Sequence, residues 1–386
     1  MKITVIPSWY PNPKMRTQGL FFRDQARALS KEHEVDVLYC HRGKRFYSNL
    51  YTDDGIKTFY WGYRLRIGSI LGMISRIFIY CMMFILYQKK RKVDIIHCHS
   101  VAFNQDGSAG IAGVILGKLF SIPVVITEHA TVFSNKKYGR FEKRLMRWAL
   151  SNADMIICVS EGLRDILEEM TLRQDILIIP NTIDFKTFVN NDIAVHKIKK
   201  ENDKIKICSV GYLMEKKGFD RLINVINKLI KDFGYDVELS IVGAGPQYDS
   251  LSILIRQYDL QDSIFLLGEL DKKKISELML SSDLFILLSR VETFGVVIIE
   301  GLATGLYCVA TKCGGPEYII KDKKLGHLLK NTNDVEYLSS EIDNLLQNKA
   351  YDKDQIYRMN YARQEYGFER FLELFNDLVL KKYENK

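Results

Sequence analysis

Two glutamates, Glu292 and Glu300, enclose the run Thr-Phe-Gly-Val-Val-Ile-Ile, and Ser-Arg-Val links them to the apolar segment 284–288. Gly295 lets the chain turn tightly and approach a ligand closely. The amides of Val296 and Val297 then open a helix, and unpaired amides at a helix start form an anion site. Glu300 follows Val296 by four residues, so it shares that helix face and leans back toward the N-terminus. Carboxylates repel phosphate, so their natural partners beside an anion site are hydroxyls, those of a sugar or a ribose. The plain alternative makes Glu300 a partner of the helix dipole and Glu292 a solvated loop residue.

Other segments point the same way. Val210-Gly211 runs through Lys217-Gly218-Phe-Asp220, and Ile241-Val-Gly243-Ala-Gly245-Pro246 follows a strand pattern. The latter could pass for a dinucleotide fingerprint, but the third glycine is missing and Pro246 stands where a helix would begin. Together with Ile179-Pro-Asn-Thr-Ile-Asp184 and Gly314-Gly315-Pro316-Glu317, these segments resemble the landmarks of the retaining family-four glycosyltransferases, also termed glycosyl transferases group 1. The hallmark of that family is two glutamates with seven residues and a Phe-Gly between them, which Glu292 and Glu300 match. The resemblance spans nearly the whole chain and is tightest from Val210 to Glu317.

It implies a GT-B fold: α/β, with two facing Rossmann-like, doubly wound parallel-sheet domains and a cleft between them. It implies transfer of a sugar from a nucleoside-diphosphate donor, UDP- or GDP-linked, to a glycan or lipid-linked acceptor in surface polysaccharide synthesis. Glu300 would hold the ribose and Glu292 the sugar hydroxyls, with the amides after Phe294 receiving the pyrophosphate and Phe294, Gly295 and Val296 counted among the donor-binding residues. Lys217 would clamp the leaving phosphate, with Gly211, Gly243 and Gly245 shaping the donor site. Gly19, after a long loop from the first strand, would reach the diphosphate, and His129, ending the strand at 124–127, would sit near the donor sugar. His97 and His99 are weaker candidates.

The family usually carries an arginine after the first glycine of its Lys-Gly segment, and this chain has Tyr212 there. Arg290 and Arg16 are the cations that could compensate. Tyr212 also motivates the alternative of a nucleotide-sugar-binding pseudoenzyme or assembly subunit without turnover. No metal or cofactor is expected, because the histidines suggest no third ligand by spacing and the one Asp-x-Asp, at 352–354, lies far from these motifs. A retaining reaction through a carboxylate nucleophile would need an acid at the sugar's β face. No residue is assigned that role; front-face attack by the acceptor hydroxyl, with the leaving phosphate accepting its proton, suits a site rich in phosphate donors, and Glu292 and His129 would then position the sugar.

These residues need a scaffold of strands ending in loops. β-Branched runs at 3–6, 35–39, 94–98, 124–127, 155–159 and 176–179 alternate with helical patterns at 20–31, 109–120, 136–151 and 162–170. Such alternation argues for a doubly wound parallel sheet. The polar stretch 191–204 reads as a linker, and the alternation resumes beyond it. The expected domains are 1–190 on the acceptor side and 205–365 on the nucleotide-sugar side, with a final helix at 366–386 that can pack on either.

Hydrophobic residues at 47% and charged residues at 26% are ordinary for a globular chain. The seven cysteines are odd in number and form no Cys-x-x-Cys pair, which suits buried thiols in a reducing compartment. Residues 1–190 carry 27 Lys and Arg against 17 Asp and Glu, and the remainder 28 against 30. A basic first half can face an anionic membrane, nucleic acid, or water alone; given the resemblance, nucleic acid is not expected as a partner. The apolar run 70–87, from Ile70 to Tyr87, is interrupted by Arg76 and flanked by basic residues including Arg64, Arg66 and Lys89 to Lys92. A packing helix, a helix lying at a membrane surface and a span are its three readings. The expectation is a cytoplasmic protein touching the inner face of the membrane through this run.

Overall fold

β-Branched, apolar runs bounded by turn residues form parallel strands here because both sheet faces are covered by helices. The computed structural model describes residues 1–12, 19–42, 47–53, 55–63, 69–89, 91–102, 108–135, 138–188 and 204–383. Arg16, Arg64, Arg66, Lys90, the helix start at 136 and nearly all of the expected linker lie outside the described residues. The chain divides into two compact units, 1–182 with 368–386, and 183–367.

The first unit has strands β1 (Lys2–Pro7), β2 (Glu34–Arg42), β3 (Tyr47–Asp53), β4 (Ile56–Tyr63), β5 (Ile95–His99), β6 (Val124–Glu128), β7 (Met155–Cys158) and β8 (Leu177–Ile178). They form one sheet in the order β3-β4-β2-β1-β5-β6-β7-β8, parallel except for the antiparallel β3–β4 pair. Its longer helices are α1 (Leu20–Leu29), α2 (Ser69–Gln88) and α3 (Ala109–Phe120), then the short α4 (Val132–Asn135), α5 (Arg140–Asn152) and α6 (Glu161–Thr171).

The second unit begins with the short α7 (Phe185–Phe188). Its strands are β9 (Ile205–Val210), β10 (Val237–Val242), β11 (Ile264–Leu266), β12 (Leu284–Leu287), β13 (Tyr307–Thr311) and β14 (Gly326–Leu329). Their order, β11-β10-β9-β12-β13-β14, is that of a Rossmann-type sheet, and every pair is parallel. The helices are α8 (Phe219–Lys231), α9 (Tyr248–Gln257), α10 (Lys272–Ser281), α11 (Val296–Ala303), α12 (Pro316–Ile319), α13 (Val335–Gln347) and α14 (Gln355–Tyr366). The strand order reverses between β9 and β12, and ligands of open α/β sheets bind at the carboxyl ends of strands at such a point.

The last helix, α15 (Phe368–Leu378), returns to the first unit. Phe368, Phe371, Leu372 and Phe375 join the core that holds Ile3, Val5 and Phe22. The unit boundary falls at 182/183, before the expected linker, because Phe185 and Phe188 are buried and Ile183 bridges to Gly367 within the second unit. The expected strands and helices appear with small shifts at their ends. The β3–β4 pair and β14 are additions that the sequence reading did not contain.

Candidate active site

In the second unit, the loop from β12 to α11 carries the paired glutamates. Gly295 caps α11 with φ 98°, and a Cβ there would lie 3.1 Å from Ile298 Cδ1, so the turn is built for glycine. No side chain caps this helix, and the Ile298 amide is bonded to the Gly295 carbonyl at 2.9 Å. The amides of Val296 and Val297 head the helix ahead of it, where an external anion is the natural acceptor. Glu300 is buried one turn on.

Glu292 is buried and paired with Lys217, whose ammonium donates to its carboxylate between the segments that follow β12 and β9. Lys217 ends a turn of 3-10 helix over Glu215–Lys217, after Gly211 at the end of β9. Gly243 lies beyond β10, and its close approach to Gly211 leaves no room for a side chain: a Cβ would lie 1.9 Å from the Gly211 carbonyl oxygen. Gly245 follows two residues later, so Gly211, Lys217, Gly243, Gly245, Glu292, Gly295, Val296 and Glu300 all gather at the carboxyl ends of β9, β10 and β12.

Two of the expected donor-side residues have side-chain partners of their own. Arg290 makes a bidentate pair with Asp220, at 2.8 and 2.6 Å, and donates to the Glu215 carbonyl at 2.7 Å. Its guanidinium therefore braces the Lys217 turn. Burial alone would raise the Asp220 carboxyl, but the hydrogen bonds and charge of Arg290 outweigh it and hold that group below its usual range. The Phe294 ring is buried between Tyr318 and Tyr366, 6.4 and 6.0 Å away, so Phe294 acts on the loop by packing. Tyr212 is 55% exposed beside Gly211.

Sequence reasoning missed Arg221. It is buried on α8 and donates to the Leu288 carbonyl at 2.6 Å and the Thr332 carbonyl at 2.7 Å, tying β12 to the loop before α13. Burial lowers its guanidinium to about 10, so it remains a cation at neutral pH. A buried side chain on a helix and two distant carbonyls leave no local signature.

In the first unit, Gly19 precedes α1 with φ 73°. His129 follows β6, next to the buried Glu128, whose carboxylate accepts from Ser100 Oγ, Val101 N, His129 N and Ala130 N at 2.7–2.9 Å. Burial outweighs these four bonds and raises the Glu128 carboxyl. This brace joins the loops after β5 and β6, and it too was absent from the sequence reading.

His97, His99 and His129 form one buried cluster. The His99 Nδ1 to His129 Nε2 distance is 3.2 Å, His97 Nε2 meets Thr127 Oγ1 at 2.8 Å, and the rings of Phe21 and Phe22 pack on His129. Spacing alone suggested only a pair of histidines, while the parallel register of β5 and β6 supplies the third. Among the described residues, no group of three His, Cys, Asp or Glu side chains is arranged to hold a metal.

Burial drives His97 and His129 from 6.5 down to about 3, and His99 well below its ordinary range. The unfolded chain takes up protons below about pH 6.5 that the folded chain refuses until about pH 3. The share of stability that rests on these neutral histidines is therefore complete above pH 6.5 and is lost as the pH falls through that window. Urea midpoints measured from pH 7.5 to 4.5 should fall accordingly, and less steeply in His129→Asn. A flat profile would contradict the neutral, buried cluster.

Two families match the chain: glycosyl transferases group 1 over residues 190–382, and glycosyltransferase family 4 over residues 18–187. A subunit of phosphatidylinositol N-acetylglucosaminyltransferase from Saccharomyces cerevisiae is 27% identical over 269 residues, covering 68% of this chain and 58% of that protein. The chain thus spans a little under three fifths of that relative. Among solved structures, sucrose-phosphate synthase from Thermosynechococcus elongatus superimposes with a TM-score of 0.81 at 17% identity, covering all of both chains. Anabaena HepE in complex with UDP-glucose gives a TM-score of 0.74 at 18% identity, covering 99% of this chain and 100% of that one. With the paired glutamates in place at the switch point of a parallel sheet, the chain belongs to the glycosyl transferases group 1 family and has the GT-B fold.

Proposed function

We propose that the protein is a retaining glycosyltransferase, moving a hexose-type sugar from a UDP- or GDP-linked donor to a glycan or lipid-linked acceptor in surface polysaccharide synthesis. The observation that carries this reading is the pairing of an uncapped helix start at Gly295 with two buried glutamates and Lys217. The α11 amides and Lys217 receive the diphosphate, Glu300 the ribose, and Glu292 the sugar hydroxyls. On donor binding, Lys217 exchanges its carboxylate partner for the leaving phosphate. Charge growing there is then stabilised by groups already in position, without a resident metal. The acceptor hydroxyl attacks from the front face and its proton passes to that phosphate. His129, neutral at working pH, positions the sugar and takes no proton.

The complex of HepE with UDP-glucose supports a uridine donor, and the name of the yeast relative supports a lipid-borne acceptor. No helix among the described residues is long and apolar enough to cross a membrane. We place the protein in the cytoplasm, at the inner face of the membrane, with the α2 region from Ile70 to Tyr87 and its basic neighbours in contact with the lipid. The exposed Tyr212 favours one rival, a subunit that binds nucleotide sugar without turning it over. The deciding experiment measures transfer and donor hydrolysis across a panel of nucleotide sugars, with and without EDTA. Turnover of one donor, undiminished by chelation, is expected, whereas tight nucleotide binding with no turnover of any donor would establish the rival.

A further inference from the structure

The membrane contact proposed above concerns α2, but the exposed apolar surface does not stop there. α2 buries Ile79, Tyr80, Met83 and Phe84, yet leaves Ile74, Phe78 and Ile85 exposed along its other side, Phe78 at 65%. α3 packs beside it, with Phe84 and Phe120 ring centroids 5.8 Å apart, and exposes Leu119 at 64%. α5 comes next: Lys118 of α3 lies 5.6 Å from the Trp148 ring of α5, which also exposes Phe141 at 50%. Three neighbouring helices of one unit therefore each present large apolar side chains to water. Contiguous patches of that kind mark interaction surfaces.

The charge on this face is one-sided. Arg140, Lys143, Arg144 and Arg147 of α5 are all exposed. The single acid of that helix, Glu142, is turned back to accept from the Gly139 amide at 2.8 Å. α2 contains no acid at all. Basic side chains interleaved with aromatic and aliphatic ones form the pattern of a helix lying in the plane of an anionic lipid interface. The core of a protein–protein interface is instead depleted in charge.

We propose that the exposed faces of α2, α3 and α5 form one docking surface for an anionic lipid bilayer. α5 supplies the attraction for lipid phosphates, and Phe78, Leu119 and Trp148 enter the headgroup boundary. This inference rests on the membrane contact of α2 and adds to it the charge preference and the second and third helices.

The test is flotation of the full chain with vesicles of phosphatidylcholine alone or mixed with phosphatidylglycerol, at low and high salt. Binding to the mixed vesicles, weakened by salt, is expected. Replacing Lys143, Arg144 and Arg147 together by glutamine should lower partitioning on the order of a hundredfold for three surface cations. Nucleotide binding and the melting temperature should be unchanged, since all three side chains are exposed. Phe78→Ser and Leu119→Ser should each weaken binding to both kinds of vesicle. If Phe78→Ser releases the protein while the glutamine variant floats like the wild type, the α5 surface is refuted and the α2 contact stands. If the wild type stays below every vesicle layer, both fail. Salt-sensitive binding to an oligonucleotide without flotation would give the basic face to nucleic acid and overturn the inference.

Discussion

Replacing Lys217 by alanine is expected to lower turnover by about 10²–10³-fold, the usual cost of removing one preorganised donor to a developing negative charge. Two effects add. The leaving phosphate loses its cation, and Glu292 is left buried beside the diphosphate without its ion-pair partner. Nucleotide affinity should weaken as well, because the freed carboxylate repels the phosphates. Steady-state kinetics and calorimetric titration with the nucleoside diphosphate would measure both. The double variant Lys217→Ala with Glu292→Gln, compared with each single variant, separates the contributions. It should regain nucleotide affinity while turnover stays low, giving a coupling well outside additivity. Full activity in Lys217→Ala would remove the lysine from the reaction and reduce it to a partner that orients Glu292.

The second large effect is expected at Gly243. Its φ is 144° and its approach to Gly211 places a would-be Cβ 1.9 Å from a carbonyl oxygen of the backbone, which cannot rotate away as a side chain could. Gly243→Ala must push the loops after β9 and β10 apart. Overpacking of this kind typically costs on the order of 1–3 kcal/mol, and here it spreads the donor site itself. A lower melting temperature is expected, together with loss of most nucleotide binding. Val242→Ala, one residue earlier at the end of the strand, should cost stability of similar size with binding retained, since it removes volume from the core and leaves the loop spacing alone. Equal binding in the two variants would contradict the role given to the glycine contact.

The donor side was legible because its signals are local. A strand, a glycine turn and a helix start within about fifteen residues announce themselves by type and spacing, as Leu284–Leu287, Gly295 and Val296–Ala303 do. What escaped were the non-local partners. Arg290 seemed open to phosphate from sequence, and nothing in the chain between Asp220 and Arg290 signals the pair they form. Glu128 and Arg221 each gather backbone groups from distant loops, and burial of a charged side chain has no periodicity to betray it. The β3–β4 pair was passed over because β3 lies at the sheet edge with Leu50 and Tyr51 exposed, so its residues do not alternate between core and water. The histidine cluster illustrates the middle case: His99 ends β5 and His129 follows β6, but only the sheet register places one against the other.

The return of α15 to the first unit has a consequence for the order in which the protein can fold. Phe371 and Phe375 complete a core whose other members, Ile3, Val5 and Phe22, leave the ribosome first. Residues 183–367 must emerge in between, which takes roughly 10–40 s at common rates of synthesis. During that interval the first unit waits with part of its apolar interior uncovered. Nascent-chain proteolysis should therefore find the first unit still open to cleavage until α15 has emerged, although nearly all of its residues were made first.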